Sequence, residues 1–190
     1  MKTNVRRFIE EKIGYRFNNP DLLRQAFVRK SHANEHGGQH NEVLEHFGDA
    51  ALNFAVKRYL FERYGSWTEL SKDYNYRIDR NEFVSLFDEG KLTAMEQKIV
   101  KNSRLATCID RLDLARFLIM NSGEIKQGAA TKASVKANLF EAIVGAVAID
   151  CYWNSEKILC VVKKMLGISN VKKVSNHRRA VFDKRHRKRR

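Results

Sequence analysis

Along most of this chain the apolar residues return every three or four positions rather than every second one, which is the period of helices with one buried stripe. The pattern predicts helices over 3–13, 20–29, 41–64, 70–88, 91–100, 105–119, 134–150 and 154–166. Alternating segments are scarce, and one proline and ten glycines leave little punctuation, so the expected fold class is all-α. Asn19-Pro20-Asp21 opens the second helix, with proline at its first position and an acid in the first turn, and Asn41 reads as the cap of the third. Between them residues 31–41 are polar and contain glycines. His32, His36 and His40 raise a metal reading there, but no fixed ligand spacing accompanies them, and a plain loop is the expectation.

Two of these helices carry acids that need an explanation. On the 41–64 helix Glu42, Glu45 and Asp49 fall within about 60° of arc, while Val43, Phe47, Ala50 and Phe54 gather on another side. Taken alone, that is the pattern of a solvated face. The 134–150 helix changes the picture. In its stretch ANLFEAIVGAVAI, residues 137–149, Glu141 is the only ionisable side chain. A helix so apolar around its circumference is expected to be buried, and a buried carboxylate costs on the order of several kcal/mol unless a cation or hydrogen-bond donors meet it. Asn138, one turn earlier, offers an amide oxygen. If the two helices pack together, Glu45, Asp49, Asn138 and Glu141 form a set of hard oxygen donors suited to Mg²⁺. The alternatives are a buried Lys or Arg beside Glu141, or a carboxyl that keeps its proton.

At 190 residues and 43% hydrophobic, the chain can bury one core, and a single helical domain over 1–168 is expected. The net charge of +14 is unevenly spread. Residues 171–190 hold ten Lys or Arg, Lys172, Lys173, Arg178 and Arg179 among them, against one Asp, so +9 lies in the last twenty residues. Residues 169–190 therefore read as a disordered basic tail that attracts a polyanion, nucleic acid first, against the plainer reading of a solubilising tail. Three cysteines without a CxxC pair argue against a disulfide scaffold. The longest apolar run is too short to span a bilayer and the N-terminus is mixed in charge, so a cytoplasmic protein with no membrane partner is expected.

The segments so far described resemble a known family, ribonuclease III. NEVLEHFGDA, residues 41–50, is similar to that family's NERLEFLGDS-type motif, and KANLFEAIVGA, residues 136–146, to its LADTVEALIGG-type helix. Residues 13–31 resemble its N-terminal helices, 70–83 take the place of its second long helix, and GEIKQGAATKAS, residues 123–134, resembles its GELKSGG loop. The resemblance runs in order through roughly residues 5–155.

It implies an all-helical endonuclease domain that forms a two-fold homodimer and hydrolyses both strands of double-stranded RNA with Mg²⁺, Mn²⁺ being a possible substitute. Position by position, Glu45, Asp49 and Glu141 match the family's metal-binding carboxylates, and Glu42 a further acid beside them. Asn138 matches a fourth ligand that is usually Asp, and His46 stands where the family has a Phe that plugs a socket in the partner subunit. Lys126, Lys132 and Lys136 lie in or after the glycine-containing loop and are candidate phosphate contacts. The basic tail takes the place of the double-stranded RNA-binding domain that commonly follows, an architecture similar to mini-ribonuclease III, which processes ribosomal RNA precursors. Two readings stay open: a Mg²⁺-dependent endoribonuclease, and a catalytically impaired double-stranded RNA-binding or ribosome-associated scaffold, for which Asn138 speaks.

Overall fold

The computed structural model describes residues 1–69 and 81–168. In chain order the elements are α1 (Thr3–Ile13), α2 (Pro20–Ala26), α3 (Lys30–His36), α4 (Glu42–Tyr64), β1 (Gly65–Glu69), β2 (Asn81–Ser85), α5 (Glu89–Val100), α6 (Asn102–Leu112), α7 (Ser122–Lys126), α8 (Ala133–Asp150) and α9 (Ser155–Leu166). Among the described residues the all-α expectation holds apart from one antiparallel strand pair, β1 against β2, in which Gly65 pairs with Ser85 and Glu69 with Asn81.

A helix with apolar residues on every side is stable only where neighbours surround it. α8 is that helix: Leu139, Phe140, Ala142, Ile143, Ala146, Val147 and Ala148 are all fully buried, and α4, α6, α2 and α9 pack around it. Its C-terminal end is fixed to the N-terminal segment by one buried acid. Asp150 accepts from the Tyr15 hydroxyl at 2.8 Å and from the backbone N–H groups of Asn18 and Asn19 at 2.8 and 2.7 Å.

Several boundaries differ from the sequence reading. The helix expected over 70–88 is not found at its described end: residues 81–85 form β2, where Phe83 stacks on Phe61 with ring centroids 5.5 Å apart, and residues 70–80 lie outside the described residues. A paired strand that packs an aromatic side chain outweighs a short stretch of helical periodicity. The helix expected over 105–119 begins at Asn102 and stops at Leu112, because Asp113 turns left-handed at φ 59°; only a 3-10 turn over Ala115–Phe117 follows. α2 ends at Ala26, since Val28 leaves to bridge Ile119 in parallel.

The loop expected over 31–41 contains α3, which ends at Gly37 with φ 74°, and the His32 and His36 rings on it stack at 4.2 Å. Asn19 caps α2 as expected, accepting from the backbone of Asp21 at 3.0 Å. Asn41 occupies the start of α4 but makes no capping hydrogen bond, because its backbone is already helical and its side chain is buried.

Candidate functional site

Glycine inside a helix costs about 1 kcal/mol relative to alanine, so two of them facing each other need a reason. Gly48 on α4 and Gly145 on α8 supply it. A Cβ on Gly48 would lie 1.8 Å from the Glu141 carbonyl oxygen, and one on Gly145 would lie 1.9 Å from that of Leu44. The two helices therefore cross backbone to backbone, closer than any side chain permits. Glu45 and Asp49 flank Gly48, and Glu141 lies one turn before Gly145, so the crossing puts acids of both helices on the same edge.

Their electrostatics show the proximity. Burial, then the negative charges of Asp49 and Glu45, push the Glu141 carboxyl up to about 7 from the ordinary 4.5, and no cation among the described residues opposes them. Glu45 is also raised, first by burial; Arg29 pulls it back, Glu42 pushes it further, and the Asn138 amide pulls it down. Its Oε2 is buried without a hydrogen-bond partner among the described residues. Asp49 is exposed and accepts from Asn53 Nδ2 at 3.0 Å. Glu42 stands further out, paired with Lys30 at 3.0 Å.

Among the described residues no three His, Cys, Asp or Glu side chains are gathered closely enough to hold a metal ion as they stand. The donor set nevertheless fits a hard divalent cation. It is all oxygen, it carries three acids that repel one another, one buried carboxylate oxygen lacks a partner, and the most buried acid prefers a proton where a cation would satisfy it.

One wall of this edge could not be read from the sequence. Arg29 donates from Nη2 and Nε to Glu124 Oε1 at 3.0 and 3.3 Å, and Ser31 donates to Glu124 Oε2 at 2.5 Å. Burial alone would raise the Glu124 carboxyl, but the hydrogen bonds from Arg29 and Ser31 and the charges of Arg29 and Lys132 hold it below the usual range. Asn121 caps the turn by accepting from the Glu124 backbone at 2.9 Å. The staple ties the α2–α3 junction to α7 and sets a cation beside Glu45. Arg29, Glu124, Gly48 and Gly145 are the site residues that sequence reasoning missed; only the helix-interior glycines carried a signal.

Of the candidate phosphate contacts, Lys126 and Lys132 are exposed. Lys136 is held in an ion pair with Asp110 at 2.6 Å and is only 14% exposed. Lys172, Lys173, Arg178 and Arg179 lie outside the described residues. His46 is exposed, its ring against Phe47 with centroids 5.6 Å apart.

Residues 19–160 match the family model described as ribonuclease-III-like. The chain belongs to the ribonuclease III family. It is 41% identical over 164 residues to ribonuclease 3 of Roseburia hominis and 40% identical over 162 residues to that of Treponema succinifaciens, in both cases over 85% of this chain. It spans 46% and 41% of those proteins, so about half the length of the curated relatives it matches. Among solved structures, the nuclease domain of ribonuclease III from Campylobacter jejuni superposes with a TM-score of 0.64 at 26% identity, covering 85% of this chain and 98% of that one. That structure is described for flexibility in a region involved in dimer formation. The ribonuclease III match begins just before α2 and ends within α9, so both helices of the glycine crossing lie inside it.

Proposed function

We propose that this chain is a divalent-metal-dependent endoribonuclease that cuts both strands of double-stranded RNA, in RNA processing in the cytoplasm. One observation carries the reading beyond family membership. Glu141 sits in the apolar stretch 137–149 of α8 with two further acids and, among the described residues, no cation facing it, an arrangement that costs stability and that a bound cation relieves. Glu45, Asp49, Glu141 and the Asn138 amide oxygen would hold Mg²⁺ or Mn²⁺. When bound, the ion supplies positive charge that activates water and stabilises the charge developing on the phosphodiester oxygens. Glu42, at the outer edge and paired with Lys30, tunes the charge of Glu45 without reaching inward. The exposed Lys126 and Lys132 meet backbone phosphates. The basic tail adds sequence-independent attraction, and deleting residues 171–190 should lower RNA affinity and flatten its salt dependence; an unchanged salt slope would end that part of the proposal.

The same reading supplies a partner. α4 exposes Val43, Phe47, Phe54 and Phe61, the last three spaced by seven, and Trp153 stands edge-on to Phe47. A stripe of large apolar side chains of this kind marks a protein interface, and a second copy brings a second acid site to the opposite strand of a duplex. Phe54→Glu should leave a monomer by light scattering, whereas an unaltered chain that is itself monomeric would remove the homodimer.

The decisive experiment incubates the protein with a long perfect RNA duplex, with and without Mg²⁺, beside Glu141→Ala and Asn138→Asp. Cutting that requires Mg²⁺ and is lost in Glu141→Ala supports the enzyme. Duplex binding without cutting, together with cutting by Asn138→Asp, supports the second reading, a catalytically impaired RNA-binding scaffold for which Asn138 is the specific observation.

A further inference from the structure

Asn41 stands at the start of α4 without doing the work of a cap. Its backbone is helical, with φ −79° and ψ −14°, and its side chain bonds to no backbone N–H of the first turn. It is 0% exposed, yet among the described residues neither Nδ2 nor Oδ1 has a hydrogen-bond partner. The main chain at this residue is by contrast held twice: its N–H donates to Val28 O at 2.9 Å, and its carbonyl accepts from the Glu45 N–H at 2.8 Å. An amide buried in this way destabilises the fold, and an apolar residue of the same size would not.

The second orphan on this helix is one turn away. Glu45 Oε2 is buried and also lacks a partner. Residues four apart on a helix are neighbours on one face, so an amide donor without an acceptor stands one turn from a carboxylate oxygen that the Asn138 amide, on the carboxylate's other side, leaves unpartnered. Each is what the other needs.

We infer that Asn41 is a positioning residue for Glu45: its Nδ2 is linked to Oε2 through one buried water, which fixes the carboxylate's orientation toward Asp49 and Glu141. This rests on the metal reading proposed above and adds to it a residue in the layer behind the ligands. A polar pocket with two or more partners is what a buried water requires. A hydrogen bond from behind fixes the rotamer of a ligating carboxylate, and losing such a bond weakens metal binding by about 10- to 100-fold. Asn41 can serve in this way because its backbone is pinned to the Val28 strand bridge and cannot drift with the helix end. A cap exposed to water would lack that restraint.

The test is Mn²⁺ binding to the full chain, read by the loss of free Mn²⁺ signal in electron paramagnetic resonance, alongside thermal unfolding without metal. Asn41→Leu replaces both orphan atoms with methyl groups on the same branched heavy-atom skeleton. It should unfold at an equal or higher temperature yet bind Mn²⁺ about tenfold or more weakly, a combination that a purely structural residue does not produce. Asn41→Ser, which keeps a donor, should recover part of the affinity. If Asn41→Leu does not fold, Asn41→Ala against Asn41→Ser gives the same contrast. Equal Mn²⁺ affinity in the unaltered chain and Asn41→Leu overturns the positioning role alone. If the unaltered chain and Glu141→Gln take up Mn²⁺ equally, or not at all, the metal reading falls and the role of Asn41 falls with it.

Discussion

Asp150 and Glu141 lie on the same helix, nine residues apart and so on opposite sides of it. Their surroundings are opposite too. Asp150 is ringed by donors, the Tyr15 hydroxyl and two backbone N–H groups, and the same contact helps hold the Tyr15 hydroxyl above its usual range, after burial itself. Glu141 faces Asp49 and Glu45 and meets no cation among the described residues. The first arrangement stabilises the fold without any outside participant. The second is stable only with something added, a proton or a cation, and it marks where the molecule is built to interact rather than merely to stand.

Three substitutions test the difference between these two acids. The largest effect is expected at the satisfied acid. Asp150→Ala strands the Tyr15 hydroxyl and the N–H groups of Asn18 and Asn19, and should cost about 3 kcal/mol or more of stability in urea unfolding. A loss under about 1 kcal/mol would mean that water replaces the carboxylate easily and that the contrast is overdrawn.

Next comes Glu141→Gln, with the opposite sign. Folding raises the proton affinity of this carboxyl, so the native state holds a proton that the unfolded chain has released. The metal-free protein is therefore most stable below the ordinary carboxylate value and loses stability as pH climbs from about 4.5 to about 7. The glutamine should abolish that decline and gain on the order of 1–3 kcal/mol at pH 8 without metal. Melting temperatures across pH 4–8 for both chains would expose an error in the assignment if their slopes were parallel. Added Mg²⁺ should flatten the slope of the unaltered chain only.

The smallest effect is Asn138→Asp. A further negative charge beside Glu45 should lower metal-free stability near neutral pH by about 1 kcal/mol and tighten divalent-metal binding. Calorimetric titration would read the second and thermal unfolding the first. A variant unchanged in both would place Asn138 outside the site.

How much of this was visible beforehand follows from what kind of interaction each residue makes. Glu141 was legible because an isolated charge in an apolar helix violates a one-dimensional pattern. Glu45, Asp49 and Asn138 then followed from helix spacing together with the family resemblance. Asp150 was not legible: it ends the same apolar run, and the groups that satisfy it are more than 130 positions earlier. The Arg29–Glu124 staple was hidden for the same reason, since its partners lie 95 residues apart. Asn41 misled, because a residue type that favours caps stands at a cap position while its side chain turns inward. The 70–88 segment failed differently. Its periodicity favoured a helix locally, but Phe83 has a stacking partner on α4, and pairing with β1 determines the structure of residues 81–85.

The glycine contact between α4 and α8 has a mechanical consequence. Two crossed rods tilt most easily about their point of closest approach, so matter near it moves least when they scissor. The acids sit within one turn of this fulcrum, whereas the aromatic stripe on α4 runs away from it along the lever arm. Motion that shifts Phe61 by a given amount shifts Glu45 and Asp49 by far less. The far end of α4 can therefore move while the spacing of the oxygens changes little.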